Sequence, residues 1–258
     1  MRIGHRDLVE IEASRIGRLG NKIVHVEDRH SGERGYLKIA ITAHQRSSLK
    51  REIDVLGWIG GRIRVPSILA LDVSSNAAVA LLSELPGVGS HEAGSDATLR
   101  SCGEVLRMIH NLSLSGIERV GVIQSNPEYT ENDLPWSNIN EVEFVKYVGV
   151  GINEARQFLI NFTVSKFEMV FSHGDFCLPN VLMDDVLGPG VIDWDCAAMS
   201  SIYLDISSAL ASIEYNLGSD KNSIFLEGYG LTAVDADALL YFRIKEALKP
   251  SAFHKACS

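Results

Sequence analysis

The stretch HGDFCLPNVLMDDVLGPGVIDWD, residues 173–195, places acidic and amide side chains beside short apolar runs of strand-forming residues. The runs VLM and GVI are joined by DDVLGPG, whose Asp, Gly and Pro residues are typical of a turn. The stretch therefore predicts a β-hairpin, which brings the end of its second strand back beside the start of its first. Asn180 and Asp193 would then lie side by side, with Asp175 on the loop just upstream.

The oxygen-bearing side chains of this hairpin are suited to phosphoryl transfer. An amide oxygen and a carboxylate, here those of Asn180 and Asp193, are ligands that Mg²⁺ accepts while it bridges nucleotide phosphates. A second carboxylate, here that of Asp175, can accept the proton of an attacking hydroxyl and orient it. A loop Asp, then an Asn, then a metal-binding Asp is also the order found in protein kinases. The hairpin therefore predicts a catalytic carboxylate and a magnesium site.

HGDFCLPN is similar to the HGD-x-x-x-x-N loop of the aminoglycoside phosphotransferase and choline kinase group, and its CLPN part resembles the aminoglycoside 3'-phosphotransferases. VIDWD resembles the metal-binding segment of these enzymes. YLDIS, with Asp205, resembles the acidic position that braces the catalytic loop. The resemblance implies that Asp175 is the catalytic base and that Asn180 and Asp193 hold Mg²⁺. His173 is interpreted as structural support for the loop.

The resemblance covers most of the chain and implies a two-lobed, protein-kinase-like α+β fold. Residues 1–85 are predicted to form a β-rich, nucleotide-binding N-terminal lobe with one helix. Residues 86–258 are predicted to form a mainly helical lobe that carries catalysis and substrate binding. The boundary is set at ELPG, residues 84–87, because this run breaks regular structure between the strand-rich and helix-rich parts.

Turn signals and periodicity predict the elements of each lobe. In the first lobe, strands are predicted within IGRLGNKIVHVED, RGYLKIA and RVPSILALDVSSNAAVALLSEL, and a helix over SSLKREIDVLGWI with Ser47 or Ser48 as its N-cap. In the second lobe, helices are predicted over TLRSCGEVLRMIHNL, EVEFVKYVGVGINEARQFLINF, SIYLDISSALASIEY and ADALLYFRIKEAL. Gly149 and Gly151 are expected to interrupt the second of these, and residues 116–140 are expected to form a loop.

A lysine and a glutamate of the first lobe are candidates for the nucleotide site. Lys38 interrupts the apolar strand pattern of GYLKIA, and Glu52 lies on the inward stripe of the following helix, whereas Asp54 points away. An inward Glu facing a strand Lys matches the ion pair with which kinase-like folds aim the lysine at nucleotide phosphates. We therefore predict that Lys38 and Glu52 pair with each other.

The resemblance also assigns the remaining nucleotide contacts. GRLGNKIV is predicted to be the phosphate-covering turn, with Gly20 and Asn21 at its tip. SELPG is predicted to be the hinge whose backbone at Ser83 and Leu85 meets the purine edge. The implied cofactors are Mg²⁺ and ATP, with GTP as the alternative nucleotide.

The acceptor is predicted to be a small cationic molecule. The family supplies carboxylates before the catalytic loop, on the helix after the metal segment and on the C-terminal helix. At comparable places this chain has Glu141 and Glu143, then Glu214, then Glu246, and Asp175 completes the predicted substrate-binding set. An aminoglycoside is the first choice, which would make the protein an antibiotic-resistance enzyme. A kinase of choline, an amino alcohol, a sugar or a macrolide is the alternative, because less acid follows Glu214 than is usual in aminoglycoside enzymes.

Charge, hydropathy and cysteine content indicate which classes of partner the protein is not expected to have. A formal net charge of −9 gives no electrostatic support for nucleic-acid binding. No apolar run approaches the roughly 18–20 residues that span a bilayer, and no secretory signal is recognised, so a cytoplasmic protein without a membrane partner is expected. The four cysteines form no CxxC pair. The oligomeric state is left open. A non-catalytic nucleotide-binding module is the lower alternative, since every predicted catalytic and nucleotide-binding side chain is present.

Overall fold

A computed structural model of the protein describes residues 1–13, 15–16, 20–120, 136, 139–162 and 168–248. Two compact units interleave along the chain. The first unit takes in the described residues of 1–89, together with 113–120 and 180–197. The second unit takes in 90–112 and the described residues of 124–179 and 198–258. The predicted division at residue 85 stays a prediction for the functional lobes, because the compact units are discontinuous.

Short strands dominate the first unit and helices dominate the second. The described strands are β1 (Arg2–Ile3), β2 (Arg6–Glu10), β3 (Arg15–Ile16), β4 (Lys22–Asp28), β5 (Arg34–Ala40), β6 (Ile68–Val73), β7 (Ala78–Ser83), β8 (Val88–Gly89), β9 (Val170–Ser172), β10 (Val181–Asp184), β11 (Gly188–Val191) and β12 (Ala198–Ser200). The described helices are α1 (Ala43–Ile59), α2 (Ser90–Ala93), α3 (Asp96–His110), α4 (Glu141–Val148), α5 (Ile152–Asn161), α6 (Ile202–Asn216), α7 (Asn222–Tyr229) and α8 (Ala236–Ala247).

An antiparallel sheet forms the body of the first unit. Its order is β1-β2-β4-β5-β7-β6, and β3 pairs with β4. Alternating side chains of these strands bury a core cluster formed by Ile3, Leu8, Val24, Val26, Leu37 and Leu81. Because neighbouring residues of a strand point to opposite faces, Lys38 lies on the face opposite to Leu37. The apolar alternation of β5 therefore places the predicted lysine away from this cluster.

Helix α1 begins earlier than the sequence predicted. Thr42 is the N-cap: its hydroxyl accepts a hydrogen bond from the backbone N–H of Gln45 at 3.2 Å, and Gln45 Oε1 accepts one from Thr42 N–H at 3.1 Å. This reciprocal arrangement is a capping box, which satisfies two otherwise unpaired donors. The prediction of Ser47 or Ser48 as N-cap was wrong, because the Thr-x-x-Gln pair upstream caps the helix first.

The β-hairpin predicted from the sequence is formed, and it belongs to the first unit. Strands β10 and β11 pair in antiparallel register with Val181 opposite Val191. Strand β8 pairs with the other edge of β10. The three strands form a sheet in the order β11-β10-β8. Asn180 lies just before its strand β10, and Asp193 lies shortly after its strand β11.

The second unit is built from helices around a two-stranded sheet of β9 and β12. Asn140 caps α4 through its side chain, and the interruption predicted at Gly149 is confirmed, since that residue is the left-handed C-cap of α4 with φ of 88°. Helix α7 was not predicted. Apart from a short 3-10 turn at Ile117–Arg119, most of the predicted loop at 116–140 lies outside the described residues. In the described part of the chain, no helix has the length and apolar content to cross a membrane.

Helices α3 and α7 cross at two glycines. A Cβ atom added to Gly103 would lie 2.2 Å from the carbonyl oxygen of Phe225. A Cβ added to Gly228 would lie 2.1 Å from the carbonyl oxygen of Arg100. Both distances are shorter than van der Waals contact and involve backbone atoms, so the absence of a side chain at these two positions sets the separation of the helices.

We expect Gly103→Ala to lower the free energy of unfolding by about 1–3 kcal/mol, because the helices must move apart to admit one methyl group. Urea unfolding followed by circular dichroism measures this change. The matched control is Gly57→Ala in α1, where an added Cβ meets nothing within 4 Å. That change is expected to raise stability by about 0.5–1 kcal/mol, since alanine favours the helix. Equal effects of the two substitutions would contradict the close crossing.

Candidate active site

Lys38 is held by two carboxylates of the first unit. Its Nζ donates hydrogen bonds to both carboxylate oxygens of Glu52, at 2.7 and 2.8 Å, and to Oδ1 of Asp193 at 3.1 Å. Glu52 is buried within α1, and its bidentate contact fixes the direction of the lysine side chain. The pair predicted between Lys38 and Glu52 is therefore formed, and the structure adds Asp193 as a third member.

The charge of this lysine is maintained by its neighbours. Burial acts to lower the pKa of Lys38, but the carboxylates of Glu52 and Asp193 act in the opposite direction and prevail. The net pKa of Lys38 lies well above its ordinary value, so the ammonium group stays protonated at physiological pH. A buried, permanently charged cation on a rigid strand is suited to contact with phosphate oxygens.

Asp193 has an unusual backbone conformation. Its φ of 65° is the only positive value of a non-glycine residue in the described part of the chain. The segment is anchored just beyond it, where the fully buried Trp194 donates from its indole Nε1 to the carbonyl of Val191 at 3.0 Å. The Asp193 side chain itself is 39% exposed. Such conformations are concentrated at functional sites, because the surrounding structure must hold the residue in place.

Asn180 and Asp193 lie at the same end of the hairpin. The backbone N–H of Ile192 donates to the carbonyl oxygen of Asn180 at 3.0 Å, which extends the β10–β11 ladder by one step. The hairpin therefore places Asn180 opposite Ile192, the residue that precedes Asp193, as the spacing in the sequence predicts.

The side-chain oxygens at this end of the hairpin are of the type that binds a magnesium ion. Asn180 and Asp193 supply an amide oxygen and a carboxylate, and Mg²⁺ is usually held by one or two protein groups together with water and phosphate oxygens. In the described ranges, no cluster of three or more His, Cys, Asp or Glu side chains could hold a metal ion. Two oxygen-bearing side chains are thus the protein ligands that this end of the hairpin could offer to Mg²⁺.

Helix α1 also anchors the segment after Asp193. Ser48 donates from its hydroxyl to Oδ2 of Asp195 at 2.9 Å. Arg51 donates from Nη1 to the carbonyl oxygen of Asp195 at 2.8 Å. Sequence reasoning missed both contacts, because partners more than 140 residues apart leave no local signal. Helix α1 thus positions Lys38 and the 193–196 segment together.

The remaining residues predicted to contact the nucleotide lie at two other places in the first unit. Gly20 has a left-handed φ of 78°, Asn21 is buried beside it, and residues 17–19 of the same turn lie outside the described residues. At the predicted hinge, the backbone N–H of Ser83 donates to Ser67 O at 2.8 Å. A base contact at Ser83 would therefore use its carbonyl oxygen.

Arg64 fastens this hinge to the hairpin and was not predicted. Its Nη1 donates to the carbonyl of Gly188 at 2.6 Å, and its Nη2 donates to the carbonyl of Pro86. A Cβ on Gly190 would lie 2.9 Å from Nη1 of Arg64 and 3.1 Å from the Leu85 side chain. The guanidinium group of Arg64 thus links Pro86, the residue after Leu85, to the hairpin.

The catalytic loop is predicted at residues 173–180, and all of it except Asn180 lies in the second unit. Asp175 is 5% exposed, and its backbone N–H donates to Nδ1 of the fully buried His173 at 3.2 Å. His173 also packs edge-on against Phe176, with ring centroids 5.9 Å apart. These contacts agree with support of the loop by His173, while the catalytic role of Asp175 stays a prediction.

Asp205 braces the loop from α6. It is fully buried, its Oδ1 accepts from Gly174 N–H and its Oδ2 accepts from His173 N–H, each at 2.7 Å. Oδ2 also lies 3.0 Å from Nε2 of His110, whose Nδ1 lies 2.8 Å from the hydroxyl of Tyr229. His110 and Tyr229 were not predicted as site residues. One carboxylate therefore holds the backbone at the start of the loop, at His173 and Gly174.

The carboxylates predicted to bind the acceptor lie in different surroundings. Glu214 of α6 and Glu246 of α8 both act electrostatically on the hydroxyl of Tyr147 in α4, as does Asp175. Burial raises the pKa of Tyr147 above its ordinary value, these three carboxylates raise it further, and Arg243 opposes them. Glu141 and Glu143 are exposed in the first turn of α4. There they favour the helix dipole irrespective of any substrate.

The sequence matches the model of the family described as "Phosphotransferase enzyme family" over residues 13–240. The chain belongs to this family. An aminoglycoside 3'-phosphotransferase of Niallia circulans is 29% identical over 90% of this chain and 90% of its own length.

Solved structures of phosphotransferases share the fold. The aminoglycoside phosphotransferase APH(3'')-Id of Streptomyces rimosus, in complex with ADP and streptomycin, superposes with a TM-score of 0.62 at 21% identity, covering 92% of this chain and 94% of that one. The macrolide 2'-phosphotransferase of Brachybacterium faecium gives a TM-score of 0.65 at 17% identity, covering 98% and 89% of the two chains. The protein-kinase-like α+β fold is thereby confirmed.

Membership of the phosphotransferase enzyme family confirms two further predictions. The resemblance to aminoglycoside phosphotransferases is confirmed, and so is the assignment of the chain as an enzyme that transfers phosphate to a hydroxyl group.

Proposed function

We propose that the protein transfers the γ-phosphate of ATP to a hydroxyl group of a small cationic molecule, with an aminoglycoside antibiotic as the first candidate. The observation that carries the proposal is the arrangement around Lys38, where a charged ammonium contacts Glu52 and Asp193 at the end of the hairpin that also presents Asn180. The names of the Niallia relative and of the Streptomyces rimosus complex support the acceptor and the adenine nucleotide.

The chain's own residues account for the steps that a phosphoryl transfer needs. Lys38 binds phosphate oxygens, and Glu52 keeps it directed. Asn180 and Asp193 would hold Mg²⁺, which would neutralise charge on the phosphates. Asp175 accepts the proton of the acceptor hydroxyl as its oxygen attacks the γ-phosphorus. The bond between that phosphorus and the oxygen bridging to the β-phosphate breaks, and ADP leaves. Asp205 keeps the backbone of the Asp175 loop fixed, because it accepts hydrogen bonds from His173 and Gly174.

A coupled assay of ADP release tests the proposal. Purified protein is supplied with ATP or GTP, with and without MgCl₂, and with kanamycin, streptomycin, spectinomycin, erythromycin or choline as acceptor. ADP release that depends on Mg²⁺ and on an aminoglycoside, with a phosphorylated product seen by mass spectrometry, is the expected result. Turnover with erythromycin or choline alone would retain the reaction and replace the acceptor. Nucleotide binding without transfer to any acceptor would favour the non-catalytic alternative.

The macrolide alternative has one observation in its favour. Glu214, which was predicted to bind a substrate ammonium group, has its Oε1 engaged by Arg243 at 2.6 Å and by Asn222 at 2.8 Å. One of the predicted carboxylates is therefore neutralised within the protein.

Removing the nucleotide-side ion pair is expected to weaken ATP use. Lys38→Met should lower kcat/KM for ATP by about 10²-fold, because a buried cation that contacts phosphate is lost. Glu52→Gln should lower it by about ten-fold, since the lysine remains but is less firmly directed. Steady-state kinetics with varied ATP measure both values. Lys50→Met is the matched control, because Lys50 is exposed on α1 and pairs only with Asp54 among its described contacts. A loss in Lys50→Met as large as that in Lys38→Met would contradict the assignment.

A further inference from the structure

Arg243 places a fixed positive charge among the carboxylates of the predicted acceptor region. It lies on α8, and its Nη2 donates to Oε1 of Glu214 on α6 at 2.6 Å. Asn222 donates to the same oxygen at 2.8 Å. Two neighbours therefore hold the Glu214 side chain in a defined position and restrict its rotation. The guanidinium group of Arg243 also balances its negative charge.

Arg243 is itself largely buried. Its side chain is 19% exposed. Its charge therefore acts on the neighbouring groups through protein rather than through open solvent, where it would be screened more strongly.

The charge of Arg243 reaches the surroundings of Asp175. The Tyr147 hydroxyl experiences Glu246, Arg243, Asp175 and Glu214 together, and Arg243 alone among them acts against the negative charges. Interactions between charged groups weaken beyond about 10 Å in saline solution. These groups from α4, α6, α8 and the catalytic loop therefore share one region of the second unit, and its negative charge is one unit smaller than the three carboxylates alone would give.

We propose that Arg243 is a specificity-determining residue, which selects, among small cationic acceptors, those that carry few ammonium groups. This inference rests on the proposed function for the identity of the acceptor site. A polycationic acceptor needs several carboxylates, and Arg243 withholds Glu214 from it while adding repulsion. An acceptor with a hydroxyl or ether oxygen in place of one amino group avoids that repulsion.

A matched pair of ligands tests this selectivity. Neomycin and paromomycin differ in one substituent, which is an amino group in neomycin and a hydroxyl group in paromomycin. Dissociation constants of both are measured by isothermal titration calorimetry in the presence of a non-hydrolysable ATP analogue and MgCl₂. The wild-type protein is expected to bind paromomycin more tightly. Arg243→Gln is expected to shift the ratio of the two constants towards neomycin by about ten-fold, as removal of one nearby charge predicts.

Three further variants separate selectivity from damage to the fold. Glu214→Gln leaves Arg243 unbalanced, so it should shift the ratio in the opposite direction, towards paromomycin. The double variant should return close to the wild-type ratio. Lys245→Gln removes the same charge from α8 two residues further on, where the lysine lies over the ring of Tyr241, and should leave the ratio unchanged. A damaged fold would weaken both ligands in the same direction.

The outcomes distinguish this inference from the proposed function. If the wild-type protein transfers phosphate but Arg243→Gln changes the ratio no more than Lys245→Gln does, the role of Arg243 is refuted and the proposed function stands. If no acceptor is phosphorylated but the ratio shifts in opposite directions in the two single variants, the role of Arg243 in selectivity stands and the proposed function fails. Equal binding of both ligands by every variant refutes the inference.

Discussion

Asp175→Asn is expected to lower kcat for phosphate transfer by about 10²–10⁴-fold, which is the usual contribution of a positioned general base. The amide keeps the shape of the carboxylate but cannot accept the proton of the acceptor hydroxyl. The KM for ATP should change little, because the nucleotide contacts are assigned to Lys38 and to the hairpin. Single-turnover kinetics with the best acceptor from the coupled assay separate this loss from any effect on product release.

The control for this substitution is Asp185→Asn. Asp185 is exposed in the turn of the catalytic hairpin, so the same chemical change there should leave kcat within two-fold of the wild-type value. Residual activity of Asp175→Asn above about a tenth of the wild-type rate would be too high for the loss of an essential base. Another group would then have to accept the proton, and Asp175 would be reduced to a residue that orients the acceptor.

Asp205→Ala is expected to be the most destabilising of the substitutions considered. The change removes the acceptor of two backbone N–H groups, those of His173 and Gly174, in a fully buried position, and it leaves His110 without its carboxylate. Loss of one partner from such a buried polar network costs about 3–5 kcal/mol. In a chain of this length each kcal/mol corresponds to about 2–4 °C, so Tm should fall by about 10 °C. Differential scanning fluorimetry measures the shift.

Two comparisons isolate the cause of that shift. Asp205→Asn keeps one carbonyl oxygen as acceptor and should recover part of the lost stability, whereas a purely electrostatic role would give equal losses for Asn and Ala. Asp220→Ala, in an exposed 3-10 turn, should change stability by no more than about 0.5 kcal/mol. If Asp205→Ala unfolded at the wild-type temperature, the loop would have to be held by other contacts.

Local patterns in the sequence were sufficient for the hairpin and the lysine pair. The period of two in β5 and the period of 3.6 in α1 specify which way Lys38 and Glu52 point, so their contact follows once the two elements pack together. The turn signal at residues 184–190 likewise fixes the register that brings Asn180 opposite Ile192. These features depend on residues that are near each other in sequence or on one repeating pattern.

Contacts between distant helices and loops could not be predicted. Glu214 and Arg243 pair across two helices although they are 29 residues apart in the sequence, and neither position departs from the pattern of an ordinary helix surface. Residues that bind Asp195 from α1 are hidden for the same reason, because their direction is known from the sequence but their partner is not. The start of α1 was misplaced because several hydroxyl residues competed for one N-cap, and the deciding signal was the glutamine three residues after Thr42.

The interleaving of the two compact units constrains how this protein can be recombined. The first unit includes a hairpin encoded some ninety residues downstream of its sheet, so no single crossover can transfer it whole into a related gene. A chimera that exchanged only residues 1–85 would join one parent's Lys38 to the other parent's Asp193 and Asp195. Successful exchanges should therefore either keep α1 and the 193–196 segment from the same parent or preserve Ser48, Arg51 and Glu52 together with the residues they hold.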